Sequence, residues 1–422
     1  MNDSLDLLLA SVGQENFTFC KDNRLELIRS VANQLNLLDW DIPKITVTGT
    51  NGKGSTVAAL KTIYQLAGYH VATFSSPHLI KINERIAVDG VYISDEEFIN
   101  ALKTIKSVSS NHSLSFFETL TLVALSHFKQ HQPDVMVLEV GLGGRLDATN
   151  IIDADVVVVT NVDYDHQDVL GDTREKIGFE KAGLFRQHAA AVYADLDCPQ
   201  TVQEVAEHLK VSLYQLGSDY AWFESNGSWC MNIHSKQLVF PFSPSIHANA
   251  MSSAIYVSEL LQKRLPVNHT HLIEATQKTF IPGRLQKIND GKHELLLDVS
   301  HNPHAMKYLI EYIQSRGVSG RIHAVFSAFK DKDCQQIVLL FNKLNPLWYT
   351  TVLTSERSHT PETMKTLFSS LKVEHQFSES ATEALFRARA IAKEGDMIVV
   401  FGSFYLIREI MLQLQQEGKN VF

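Results

Sequence analysis

The residues best equipped for chemistry lie in Thr48-Gly-Thr-Asn-Gly-Lys-Gly-Ser-Thr56. Gly49, Gly52 and Gly54 let the backbone turn tightly with N–H groups facing a ligand. The backbone N–H groups of this loop are therefore candidate phosphate contacts. Lys53 would neutralise a β/γ-phosphate, and the hydroxyl of Ser55 or Thr56 could reach Mg²⁺. The spacing departs from G-x-x-x-x-G-K-[ST]: the first glycine is closer, and Gly54 separates lysine from hydroxyl.

Further polar groups follow apolar runs. Ser76 follows one such run and Glu139 ends another, while Asn161, Asp163, Asp165 and His166 follow Val156–Thr160. Oxygen-rich groups suit Mg²⁺, and Glu139 is placed like the acid closing a Walker-B strand. Gly141-Leu-Gly-Gly-Arg-Leu-Asp-Ala-Thr-Asn150 comes next. Its glycines would admit a ligand to the backbone, and Arg145 and Asp147 could orient it. Asp298-Val-Ser-His-Asn-Pro303 has the same form, exposing His301 and Asn302 at a strand end.

These groups need elements to hold them. Ile45 and Val47 predict a buried strand before the loop, and Ser55–Leu60 the start of a helix after it. An N-terminal helix is expected from Leu25, Ile28, Val31, Ala32 and Leu35. Ser94-Asp-Glu-Glu97 reads as a capping box. Tyr69–Phe74, Asp134–Glu139 and Asp155–Thr160 read as strands, and Phe117–Phe128 as a helix. Such alternation implies an α/β fold with a mostly parallel sheet of the P-loop type. From about Cys198 to Ile281 only weak strands are evident, closed by a helix over His247–Leu261. Ile281-Pro-Gly-Arg284 is the expected boundary, giving domains 1–281 and 282–422. Alternation then resumes with strands at Leu295–Asp298, Ile322–Phe326, Trp348–Leu353 and Met397–Phe401. This predicts a smaller Rossmann-like domain, and ligands in such sheets sit off the carboxyl ends of the strands. A substrate cleft between two such domains is the expectation.

The 422 residues exceed one compact core. A net charge of -9 disfavours a nucleic-acid partner. Cys20, Cys198, Cys230 and Cys334 are widely spaced, which argues for a reducing compartment and against a disulfide frame or zinc site. The acidic start is unlike a signal peptide, and the apolar runs are too short to cross a bilayer. A cytoplasmic enzyme without nucleic-acid or membrane partners, working as a monomer, is expected.

The motifs in this order resemble the bacterial bifunctional dihydrofolate synthases/folylpolyglutamate synthases, of the Mur-type ATP-dependent amide ligases. The resemblance rests on the glycine-lysine loop, Ser75-Ser-Pro-His-Leu79, Asn83-Glu-Arg85 and Leu138–Asn150. It continues through Asp165-His166, Glu180-Lys-Ala-Gly183, Pro282-Gly-Arg284, His301-Asn-Pro-His304 and Gly402-Ser-Phe404. It implies that ATP is bound by Asn51–Ser55, Asn249, Arg284 and Asp298. Mg²⁺ would be held by Ser76, Glu139 and His166. Catalysis would involve Lys53, His166 and Lys181, the last as a carbamate; on sequence alone Lys181 is one of several charges on a helix. Pterin contacts are implied for Asp22, Asn23, Arg24 and Leu25, for Ser115, Phe116, Phe117 and Glu118, and for Leu146, Asp147 and Ala148. His301 and Ser403 would hold glutamate. Departures are Ser115 for the usual threonine, Ser300 for alanine, and the Asn161-Val-Asp-Tyr stretch. The implied partners are ATP, L-glutamate, dihydropteroate and reduced folates, joined through an acyl phosphate. The alternatives are a monofunctional folylpolyglutamate synthase, a cell-wall precursor ligase, and a nucleotide switch; for the switch, the guanine-reading Asn-Lys-x-Asp is missing.

Overall fold

The computed structural model describes residues 24–109, 114–290 and 293–421. Asp22 and Asn23 lie outside them. The chain divides into two compact units, Met1–Phe280 and Ile281–Phe422.

The first unit is built on eight strands: β1 (Lys44–Thr48), β2 (Val71–Phe74), β3 (Ile86–Val88), β4 (Val91–Tyr92), β5 (Val135–Glu139), β6 (Val156–Val159), β7 (Ala190–Tyr193) and β8 (Ser212–Gln215). Their order is β4-β3-β2-β5-β1-β6-β7-β8. Only the β2–β3 and β3–β4 pairs are antiparallel. The central strands are buried on both faces, hence the unbroken Val-Met-Val-Leu and Val-Val-Val-Val runs. One face is covered by two adjoining cores, one including Val31, Phe98, Leu122 and Phe128 and one including Ile177, Phe185 and Val202. The opposite face carries the helices Lys53–Leu66 and Ala248–Leu260. Val47 stands opposite both Glu139 and Val158. That register brings the ends of β5, β1 and β6 level, so the loops after them are neighbours.

The stretch after Cys198 is more regular than its sequence pattern. Gln200–His208 and His269–Lys278 are helices, and β9 (Tyr220–Ser225), β10 (Ser228–Ile233) and β11 (Lys236–Phe240) form a separate antiparallel sheet. The polar interruptions are its hairpin turns. Asn226 and Gly227 both have positive φ, 51° and 77°, as a two-residue hairpin requires.

The second unit has β12 (Gln286–Asn289), β13 (Glu294–Asp298), β14 (Ile322–Phe326), β15 (Leu347–Thr350), β16 (His375–Phe377) and β17 (Met397–Phe401), in the order β12-β13-β17-β14-β15-β16. Only β12 is antiparallel. Phe326, Phe341, Trp348, Phe368 and Phe401 pack in its core. Asp298 lies opposite Phe401, so Val299–His301 and Gly402–Ser403 leave the sheet side by side. The chain enters β17 through Asp396. This residue accepts N–H bonds from Lys393 at 2.8 Å and Arg321 at 2.7 Å, and meets buried His323 at 3.1 Å.

Burial opposes ionisation of Asp396, but these donors outweigh it and hold the carboxyl down at about 2. A depressed carboxylate adds stability above the ordinary pKa near 4, and loses it as pH falls toward the folded value. Urea unfolding from pH 5 to pH 2 should therefore show Asp396→Asn with a shallower loss of stability than the wild type over that window.

Candidate functional site

The loop after β1 is clamped by the residues after β6. Gly49 has φ 144°, and a Cβ there would lie 1.7 Å from the Thr160 hydroxyl oxygen. That hydroxyl donates to Asn51 O at 2.6 Å. The Asn161 side-chain oxygen accepts from the N–H groups of Thr50 at 3.2 Å and Asn51 at 3.0 Å. The Asn161-Val-Asp stretch, a departure from the family pattern, is thus the loop's clasp. Gly52, at φ 85°, begins the helix Lys53–Leu66, and no side chain caps it. Its first N–H groups lie at the positive end of the helix dipole, where an anion is favoured. Lys53 folds over the loop, donating to Gly49 O at 3.0 Å. The Thr56 hydroxyl donates to Gly52 O at 3.2 Å, which makes Ser55 the better placed of the two candidate hydroxyls.

Glu139 is buried, and its Oε2 accepts from the Ser76 N–H at 3.1 Å. A Cβ on Gly54 would sit 3.7 Å from the same oxygen. The irregular glycine therefore places no side chain against this buried carboxylate at the start of the helix. His166 is placed separately: with Gly49, Lys53, Gly141, Asp165 and Lys181 it lines a cavity. Its φ is 49°, and its N–H donates to Asp165 Oδ1 at 3.0 Å.

Lys181, on the helix Arg174–Ala182, is 2% exposed. Burial, then the charge of Lys53, push its pKa down to about 7, while Asp165 and Asp147 pull the other way. An ordinary lysine holds on the order of a thousandfold less free amine at pH 7.

The glycine-rich loop closes this cavity by close packing. A Cβ on Gly141 would strike the Phe117 ring at 2.7 Å, and one on Gly144 the Glu180 and Lys181 carbonyls at 2.9 and 3.0 Å. Arg145 and Asp147 do not behave as expected of ligand-orienting groups. Arg145 pairs with Glu180 at 3.0 Å. Asp147 is buried and accepts from Leu142 N, Thr149 N and the Thr149 hydroxyl at 3.0, 3.0 and 2.7 Å. Burial raises its pKa despite those donors. Both side chains fasten the loop, one to itself and one to the Lys181 helix. Leu146 beside them is half-buried and Ala148 buried.

Ser115 caps the helix Phe116–His131 in a reciprocal box with Glu118, so serine does here what threonine would. Glu118 also accepts from Arg24 Nε at 3.0 Å. Two segments far apart in sequence thereby meet. Phe117 packs on Phe74 at 5.4 Å between ring centroids, Arg85 lies over Phe116 at 5.6 Å, and Leu25 packs against the same core. Asn249 stands at the head of the helix Ala248–Leu260, which packs against Lys53–Leu66. Its Oδ1 accepts from Trp222 Nε1 at 2.8 Å.

In the second unit, Asp298 accepts from Leu285 N and Ser300 N, both at 2.8 Å, and from the Ser300 hydroxyl. The departure Ser300 thus helps hold the turn that carries Arg284. The guanidinium of Arg284 lies 5.2 Å over Phe404, and the His301 ring is 6.3 Å from the same phenyl. Ser403 Oγ accepts from Leu406 N at 3.0 Å, capping the final helix. Sequence reasoning missed Thr160, Trp222 and the Arg24–Glu118 pair. Only Thr160 carried a signal, as a polar residue closing an apolar strand.

Comparison with known proteins matches residues 47–239 to the Mur ligase middle domain and 283–404 to the Mur ligase glutamate ligase domain. The chain is 37% identical over 396 residues to the dihydrofolate synthase/folylpolyglutamate synthase of Buchnera aphidicola subsp. Schizaphis graminum, covering 93% of this chain and 94% of that one. The Escherichia coli protein of the same name is 36% identical, with 92% and 91% covered. Among solved structures, Escherichia coli FolC in complex with DHPP and ADP superposes with a TM-score of 0.92 at 33% identity, over 99% of both chains. A bifunctional folylpolyglutamate synthase/dihydrofolate synthase with Mn, AMPPNP and L-glutamate bound gives 0.89 at 34% identity, over 98% of both.

Gly49→Ala should destabilise the protein by well over the ~1–2 kcal/mol expected of Gly68→Ala. Gly68, at φ 90°, faces open space and carries only the left-handed backbone term, whereas at position 49 overpacking against Thr160 adds about 1–3 kcal/mol. Urea unfolding of the two variants side by side checks the difference.

Proposed function

The chain belongs to the dihydrofolate synthase/folylpolyglutamate synthase family of the Mur ligases, and from that premise we propose how its own residues perform the reaction. ATP transfers its γ-phosphate to the carboxylate of dihydropteroate, or to the terminal carboxylate of a reduced folylglutamate. The acyl phosphate that forms is attacked at its carbonyl carbon by the amine of L-glutamate. An amide bond forms, the carbon–oxygen bond to phosphate breaks, and phosphate leaves beside ADP. Activation is needed because hydroxide is too poor a leaving group for direct condensation.

Asn51–Ser55 cradle the nucleotide phosphates with backbone N–H groups and the helix dipole. Lys53 offsets the charge of the transferring phosphoryl group. The single observation carrying this reading is the glycine-walled cavity in which Lys53, His166 and Lys181 converge. Its Lys181, held at a pKa of about 7, is suited to react with CO₂ and become an anionic carbamate. The donor set also fits a magnesium site: Glu139 is a buried carboxylate against which Gly54 places no side chain, beside Ser76, with the His166 imidazole lining the cavity. Ser76, Glu139 and His166 would hold Mg²⁺, and the carbamate would serve a second Mg²⁺. When bound, these ions supply positive charge for the phosphate oxygens.

Asn249 and Arg284 contact the nucleotide, and Asp298 acts through the Leu285–Ser300 turn that presents Arg284. His301 and Ser403 hold glutamate; the Ser403 oxygen accepts from Leu406 and keeps its own proton to donate. Arg24, Leu25 and Ser115–Glu118, with Leu146–Ala148, shape the pterin pocket. Asp147 and Glu118 act there as positioning residues, since their carboxylates are engaged by the protein. No helix among the described residues is long and apolar enough to cross a membrane. A cytoplasmic monomer is our reading, supported by the acidic charge balance and scattered cysteines.

ADP release with ATP, Mg²⁺ and L-glutamate should occur with dihydropteroate and, separately, with tetrahydrofolate. Release with tetrahydrofolate alone would mark a monofunctional folylpolyglutamate synthase, and release only with a UDP-linked precursor would overturn the reading. Lys53→Ala should lower turnover by on the order of a hundredfold or more; wild-type rates in that variant would remove the phosphate-loop assignment.

A further inference from the structure

The helix Phe116–His131 carries two histidines one turn apart, His127 and His131, at the end away from Ser115. Their rings are 4.1 Å apart between centroids. Glu97, on the neighbouring helix Asp95–Val108, directs Oε1 at both, 3.8 Å from His127 Nδ1 and 3.5 Å from His131 Nε2. The three donor atoms all lie within 4.8 Å of one another.

Two of the three donors are oriented by separate bonds. The other oxygen of Glu97, Oε2, accepts from the Ser94 N–H at 3.0 Å and the Ser94 hydroxyl at 2.7 Å. His131 Nδ1 donates to His127 O at 2.9 Å, which leaves Nε2 with its lone pair toward Glu97. His127 is only 4% exposed, and its Nδ1 has no hydrogen-bond partner. A buried ring nitrogen left so costs about 1–3 kcal/mol. At 3.8 Å its approach to Glu97 is too long for a hydrogen bond. Burial first, then His131, push the His127 pKa down to about 4 against the pull of Glu97. A neutral imidazole aimed at a carboxylate beyond bonding range is in the state a metal ion requires.

We propose that Glu97, His127 and His131 bind a divalent first-row transition-metal ion, with Zn²⁺ the best match, and that this ion ties the two helices together. Two imidazoles and one carboxylate suit zinc rather than magnesium or calcium. Tetrahedral donors around zinc stand about 3.3 Å apart, so small movements of Glu97 and His131 would close the set. Their side chains are 37% and 39% exposed, which leaves a way in for the ion and room for water as the remaining ligand. Cysteine spacing, the basis for expecting no zinc, says nothing about this cluster.

The test is titration of the metal-stripped full-length protein with Zn²⁺ against a chromogenic chelator, paired with thermal unfolding with and without Zn²⁺. His127→Ala could unfold the helix, so the informative variants are Glu97→Gln and His131→Gln. Glutamine at position 97 keeps the capping box. The wild type should take up one equivalent that each variant binds at least tenfold more weakly, and Zn²⁺ should raise the Tm of the wild type alone. Glutamate-dependent ADP release should be the same in all three proteins. Equal zinc uptake and equal affinity in the wild type and both variants would overturn the site, whatever the fate of the ligase assignment.

Discussion

Two lysines lining one cavity impose the main constraint on the first unit. Lys53 lies over the loop that would receive phosphate, and Lys181 is buried near enough to feel its charge. Burial first, and then the charge of Lys53, bring Lys181 to about half neutral at pH 7. Filling the cavity with anions would relieve the remaining repulsion: phosphate at Lys53 and a carbamate at Lys181. The apparent electrostatic flaw is thus preparation for an anionic substrate.

The surroundings are arranged to keep those lysines in place. Three glycines permit contacts that no side chain would survive: Gly49 against Thr160, Gly141 against Phe117, and Gly144 against the carbonyls of the Lys181 helix. Arg145 and Glu180 bind that helix to the same loop. Phe117 links the loop onward to the helix headed by Ser115, whose Glu118 grips Arg24. A connected set of contacts therefore runs from the phosphate loop to the segments assigned to the pterin.

Much of this was legible in the sequence because its causes are local. A β-branched run, three glycines and a lysine before a helix specify a phosphate loop with little help from the rest of the chain. Strand-end residues such as Glu139 and Asp298 announced themselves as acids closing apolar runs. What stayed hidden depends on contacts across the fold. The helix Gln200–His208 carries a helical spacing in Val202, Val205, Ala206 and Leu209, but it is short and sits among polar stretches that read as weak strands. The hairpins of β9–β11 looked like polar interruptions. Arg145 and Asp147 looked like ligand contacts because charge in a glycine-rich loop does not reveal which way it points. Glu97 lies on one helix and His127 and His131 on another, so no single helix supplies the set.

The electrostatic pairing of the lysines is tested most directly by ¹³C NMR of the protein equilibrated with ¹³C-labelled bicarbonate. If the Lys181 pKa is held at about 7, a carbamate resonance should be present at pH 8, fade as pH falls through that value, and be missing from Lys181→Met. No carbamate signal at pH 8, or the same signal in Lys181→Met, would contradict it.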